Sequence, residues 1–283
     1  MTSVEPRTLR ALLELLLDDS PRVVAAAKQK LASMGDGGEK ALREAATGDD
    51  ARLRVRARQV LADLRRQQAI AKIHELARRP DEAIDLEEGV FLLAQVDYPE
   101  LDRTPYTAIL DALGEQLRQR VTARHPPYAV VLELSRLLSH EWRLRGNDEQ
   151  FDDPDNSFVQ RVLDRRKGIP ISLAAVYLLV AKRAELPLHG VGAPGHYLLR
   201  YGPADWDLYL DPMTGRRLAL DEAMRMLSVR GIPVTKENFT ATRTRDTLVR
   251  MCANLATAYE RRRNAAASHR WAELRDALRG SVA

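Results

Sequence analysis

The chain has 283 residues, 45% hydrophobic and 30% charged, which supplies a packed core and excludes wholesale disorder. Its 44 basic and 40 acidic residues leave a net charge of only +4. Arg is interleaved with Asp and Glu, so the pattern reads as solvated helix faces and disfavours a nucleic-acid surface. A lone cysteine, Cys252, excludes an internal disulfide. Together with the lack of a signal-peptide cleavage pattern and of any run of membrane-spanning length, it sets the expectation of a soluble, cytoplasmic protein.

Only 5% of the residues are aromatic, while Leu, Ala and Arg are plentiful, as in helices that pack through aliphatic stripes. The N-terminal segment repeats. Asp19, Val23, Ala27 and Leu31 sit four apart, as do Asp49, Leu53, Ala57 and Leu61, at a constant offset of 30 that also relates Leu12 to Leu42. Each set lines one helix face, with the Asp placed to cap it and Gly35, Gly37 and Gly38 breaking the chain between copies. This resembles a pair of HEAT-type repeats.

Further helices follow. Ile70, Ile73, Leu76 and Ala77 form a stripe that ends at Pro80. Asp85 is placed to cap a helix carrying Val90, Leu92, Leu93 and Val96. Thr104-Pro105 opens the next, and Ala129 to Leu144 forms another. The acidic stretch Asn147 to Asp155 lacks the glycine and terminal Glu of a calcium loop and reads as a solvated turn. Asn156-Ser157 is placed to cap the helix bearing Phe158, Val159, Val162 and Leu163.

Gly168-Ile169-Pro170 interrupts the helical pattern. Pro170 suits the first position of a new helix, because its missing donor is not needed there. Leu173, Val176, Tyr177, Val180 and Ala181 make that helix strongly apolar. Ser172 falls in its first turn, among unpaired backbone donors, where a thiol's pKa drops and an oxyanion is stabilised. Three strands are predicted next, over Leu188–Ala193, His196–Tyr201 and Trp206–Asp211. A symmetric loop at Gly202-Pro203-Ala204-Asp205 would set His196 opposite Asp211, close enough for the carboxylate to orient the imidazole. Two helices close the chain: one with Leu248, Met251, Leu255 and Tyr259 on a face, the other with Trp271, Leu274 and Leu278.

Asn156-Ser157, Gly168-Ile169-Pro170-Ile171-Ser172, Pro194-Gly195-His196 and Asp211-Pro212 together resemble the transglutaminase-like domain of the SirB type, over roughly Ala69 to Leu220. The resemblance implies a predominantly helical α+β protein with a transglutaminase-like (papain-like) core and a small antiparallel sheet. HEAT-like and TPR-like helices flank it: residues 1–67 form the repeats, 68–235 the core and 236–283 a TPR-like hairpin or plain helical cap. The wider family uses a Cys at a helix start, a His on a strand and an Asp on the next strand. His196 and Asp211 match the base and orienter. Ser172 is the best match to the nucleophile, with Pro170 the alternative.

Either way the Cys is absent from that position. A thiol with a pKa of about 8.5 is easily drawn down to a thiolate, whereas a serine hydroxyl needs concerted removal of its proton. Two readings follow. One is a non-catalytic protein-interaction module that engages a protein partner through its helical repeats, with no cofactor or metal, no membrane and no nucleic acid. The other is a serine-dependent hydrolase or acyl-transferase acting on amide or ester bonds through Ser172, His196 and Asp211. His74, His125, His140, His189 and His269 show no metal-ligand spacing.

Overall fold

A computed structural model describes residues 6–122, 124–202, 208–228 and 233–280. The start of the chain, the hairpin loop with Trp206, and residues 229–232 lie outside the described residues. The protein is predominantly helical and divides into two compact units: Met1–Ala71 with Gln95–Leu101, and Lys72–Ala94 with Asp102–Ala283. No helix among the described residues is long and apolar enough to cross a membrane.

The first unit holds α1 (Pro6–Leu15), α2 (Pro21–Ser33), α3 (Asp36–Ala45) and the start of α4 (Ala51–Ala77). Five of the residues at the 30-residue offset lie in its core, while Val23 and Leu53 are only partly buried. Leu31 and Leu42 are fully buried, and Ala27, Ala57 and Leu61 are nearly so. The caps differ from expectation. Asp50, not Asp49, accepts from Arg52 N and Leu53 N at 2.9 and 3.0 Å, whereas α2 has Ser20 at its cap position with no side-chain cap bond, and Asp18 accepts from Ser20 N at 2.7 Å ahead of the helix. Of the three glycines only Gly35 breaks the chain, with φ of 56°. Gly37 and Gly38 lie inside α3, and a Cβ on Gly38 would meet the Leu31 carbonyl at 2.0 Å.

In the second unit α5 (Leu86–Asp97) opens with Asp85 accepting from Glu88 N at 2.9 Å, and α6 (Thr104–Arg120) opens at Thr104-Pro105. The next helix is shorter and less regular than predicted. α7 (Pro127–Ser135) runs into a π-helical turn over Arg136–Glu141, and Leu144 is buried beyond it. β1 (Arg145–Gly146) and β2 (Lys167–Gly168), neither predicted, pair in parallel around α8 (Val159–Arg165). The cap of α8 also differs from expectation. Asn156 and Ser157 end a 3₁₀ turn over Pro154–Ser157, and Phe158 takes the cap position.

α9 (Pro170–Arg183) is the central element, buried on every side from Pro170 to Tyr177. It packs on α6, where a Cβ on Gly114 would lie 2.3 Å from Arg183 Cβ, so only glycine admits the approach. Against α9 stands an antiparallel meander of β3 (Leu188–Val191), β4 (Leu198–Tyr201), β5 (Tyr209–Asp211) and the unpredicted β6 (Arg216–Leu218). Its other face meets α10 (Leu220–Ser228) through Leu198, Tyr209, Leu218, Ala223 and Leu227. α11 (Thr244–Arg261) and α12 (Ala265–Arg279) form a hairpin, with Asn264 capping α12 through Ala267 N at 3.1 Å. The ring of Trp271 on α12 lies 5.9 Å from that of Phe158, so the hairpin is docked into the unit's core.

The register of β4 and β5 departs from the symmetric-loop expectation. Leu199 pairs with Leu210 and Arg200 with Tyr209, which makes Leu198, two residues past His196, the position opposite Asp211. His196 precedes the strand. A two-residue slip preserves the face on which a side chain stands, since side chains alternate with period two, so His196 and Asp211 remain diagonal neighbours.

Candidate functional site

His196 and Asp211 are buried, at 4% and 5% exposure. His196 Nε2 lies 3.0 Å from Asp211 Oδ1, and because a carboxylate only accepts, Nε2–H is the donor. The tight turn after β5 holds the carboxylate: Met213 N donates to Oδ1 at 3.0 Å and Thr214 Oγ1 to Oδ2 at 2.8 Å. Gly215, at φ of 71°, returns its N–H to the Asp211 carbonyl at 2.8 Å. Ser135 Oγ donates to the Gly215 carbonyl at 2.6 Å, so α7 seats the turn. Burial pushes the Asp211 carboxyl up. The hydrogen bond and charge of His196, with Met213 N and Thr214, outweigh that and hold it below the ordinary value.

The other side of the imidazole is different. Nδ1 is buried and has no hydrogen-bond partner. The backbone around it is fixed: His196 N donates to Ala193 O at 3.2 Å, and Arg250 Nη2 of α11 donates to His196 O at 2.8 Å. The Arg250 guanidinium also lies over the Tyr197 ring, 5.7 Å from its centre.

Ser172 is fully buried. Its hydroxyl has two carbonyls in reach, Asn156 O at 2.5 Å and Ile169 O at 3.0 Å, and it accepts from Ile169 N at 3.2 Å. It therefore ties the start of α9 to the preceding turn. Asn156 carries the tie onward: Asn147 Nδ2 donates to Asn156 Oδ1 at 2.8 Å, and Asn156 Nδ2 donates to Gln150 O at 2.6 Å. The structure brings His196 and Asp211 together and gives Ser172 oxygen partners other than His196.

A cavity of about 230 Å³ opens beside His196. Ile169, Pro170 and Ile171 line its helix side, while Ser172 does not line it; Ser157, Tyr197, Arg250 and Asn254 also line it. Among the described residues no carboxylate pairs with Arg250, and burial draws its pKa down. The acidic stretch before Asn156 forms part of the wall and is more tied down than a solvated turn. Asp153 accepts from Arg165 at 2.8 Å and Arg262 at 3.0 Å, and Asp152 pairs with Arg261.

Sequence reading picked out the apolar stripe of α11 and passed over the polar one. Arg250, Asn254, Thr257 and Arg261 recur at helical spacing and all face the cavity. That periodicity was the available signal. Cys252, on the same helix, is fully buried, and burial pushes its thiol pKa up, so it is no nucleophile. His189 stands half-buried on β3, its pKa lowered by burial and by Arg200. Among the described residues no three His, Cys, Asp or Glu side chains gather as metal ligands.

Comparison with known proteins gives this site a setting. A UPF0162 protein of Xylella fastidiosa is 35% identical over 152 residues, 54% of this chain and 54% of the relative. One from Vibrio cholerae is 30% identical over 135 residues, 47% and 50% of the two chains. Human F-box only protein 21 is 25% identical over 237 residues, 72% of this chain but 37% of that protein. The chain thus spans about half the length of the curated bacterial relatives it matches. No solved structure matches it. The family model described as the transglutaminase-like superfamily covers residues 104–253, more than half of the chain and every residue that builds the His196–Asp211 pair, and the chain belongs to that superfamily.

Proposed function

We propose that this is a non-catalytic, SirB-type member of the superfamily, a binding module that keeps the family's cleft without its nucleophile. In this reading residues 1–67 are HEAT-like repeats that engage a protein partner, 68–235 are the transglutaminase-like core, and 236–283 are a TPR-like hairpin. The protein works in the cytoplasm and needs no cofactor. The observation that carries the reading is the Ser172 hydroxyl, held at 2.5 Å from the Asn156 carbonyl and buried in the seam below α9. A hydroxyl committed there is a structural tie, and the residues beside His196 on the helix side are Ile169, Pro170 and Ile171, which carry no nucleophile.

The rival reading is a serine-dependent hydrolase or acyl-transferase acting on amide or ester bonds. In its favour is the oriented imidazole, with Nε2 spent on Asp211 and Nδ1 unpartnered. A fluorophosphonate probe separates the two. The expected result is no covalent labelling of the wild type. Labelling that disappears in both Ser172→Ala and His196→Ala, with folding intact, overturns the non-catalytic reading. For the partner, the same protein is captured on the intact chain and on a variant with charge reversals at exposed Arg22 and Arg52; equal retention by both counts against the repeats as the docking element.

A further inference from the structure

We infer that the cavity beside His196 is a binding site for a small organic carboxylate, anchored on Arg250. The cavity, of about 230 Å³, has charged groups that balance except at one place. Asp152 and Asp153 on its wall are paired with Arg261 and with Arg165 and Arg262. Among the described residues no carboxylate pairs with Arg250; one guanidinium nitrogen serves the His196 carbonyl at 2.8 Å. A guanidinium presents five donors in a planar fork that matches a carboxylate. Leaving it desolvated and uncompensated is costly, and an anion removes that cost.

Two further features point to an anion with an apolar body. The cavity takes in the start of α9, a 14-residue helix whose positive dipole end favours an anion, although Pro170 has no N–H and the Ile169 N–H is given to Ser172 Oγ and Asn156 O. His196 lines the cavity as well; with Nε2–H given to Asp211 its buried Nδ1 is left as an acceptor, so an anion is held by Arg250 and not by the imidazole. Apolar contact comes from Phe151, Tyr197, Ile171 and Ala258. Such a mix, polar anchors beside an apolar wall, is how small-molecule sites are built. The inference stands apart from the non-catalytic reading, because it asks only whether a carboxylate is held.

The test is a ligand-observed NMR titration of the intact chain with acetate, propionate, benzoate and phenylacetate. Benzamide and inorganic phosphate serve as controls. Saturable binding of at least one carboxylate is expected, with benzamide and phosphate weaker than it by tenfold or more. Arg250→Gln should weaken the carboxylate by at least tenfold. Because Arg250 also supports the His196 carbonyl, a second variant, Thr257→Trp, fills the cavity from an exposed rim position and should abolish binding with the melting temperature unchanged. The inference is overturned if no carboxylate saturates, if benzamide or phosphate matches the best carboxylate, or if the Trp variant binds like the wild type. Release of a product during the titration would sink the non-catalytic reading while leaving the carboxylate site intact.

Discussion

The two walls of the cavity differ in kind. On the sheet side His196 and Asp211 form a buried charge-assisted pair, backed by a turn in which every polar atom of the carboxylate is used. On the helix side the equivalent space is filled by Ile169, Pro170 and Ile171, and the hydroxyl of the first turn faces away into the seam. The same secondary-structure frame thus holds a hydrogen-bonded imidazole–carboxylate pair on one side and a hydroxyl tied to backbone carbonyls on the other. A transglutaminase-like frame can keep polar machinery because that machinery also stabilises the fold. Asp211 would be needed to close the β5–β6 turn even without chemistry.

That comparison can be broken most directly at Asp211. Asp211→Ala strips partners from His196 Nε2, Met213 N and Thr214 Oγ1, and should destabilise the protein by about 3 kcal/mol or more in urea unfolding. The carboxyl's pKa is lowered in the fold, so its contribution is fully present above the unfolded value of about 3.9 and is lost as pH falls through the lower folded value. Asp211→Asn should flatten that acid limb. A loss below about 0.5 kcal/mol in either variant would mean that the turn does not depend on the carboxylate.

Ser172→Ala comes next. It removes a fully buried hydroxyl that bridges Ile169 and Asn156, whose N–H and carbonyl keep their own bond at 3.3 Å, and a loss of about 1 kcal/mol is expected by the same measurement. No loss would mean that the hydroxyl is not the tie between α9 and the turn before it. The smallest effect on stability, and the sharpest on chemistry, belongs to Pro170→Cys. A thiol there stands at a helix start in the cavity that His196 lines, where its pKa should fall. Iodoacetamide should modify it about tenfold faster than in a His196→Ala background, one pKa unit of activation being tenfold at fixed pH. Buried Cys252 serves as the unreactive internal reference. Equal rates would place the helix start out of reach of the imidazole.

Much of this was legible in one dimension. The repeat offset in the first unit is a packing rule written as a period: every second helix must bury the same positions, and Leu31 and Leu61 do so. Pro170 marked the start of α9 because proline fits only the first turn, and Gly35 marked a break because its backbone is left-handed. The register of β4 against β5 was not legible. Loop symmetry is a guess about turn geometry, and two-residue slips leave the hydrophobic pattern unchanged. β1 and β2, two residues each, are too short to carry any periodicity.

What the sequence by itself determined are the helices with long apolar stripes and the apolar α9 opening at Pro170. Each is a local or periodic property, readable along the chain. What only the tertiary structure decided is where Ser172 points and what stands against His196. A hydroxyl in a first turn can turn toward a cleft or toward a neighbouring carbonyl, and here Asn156, sixteen residues upstream, captures it. Arg250 reaches the cavity only because α11 folds back over the start of α9, a contact between residues more than fifty positions apart that no period encodes.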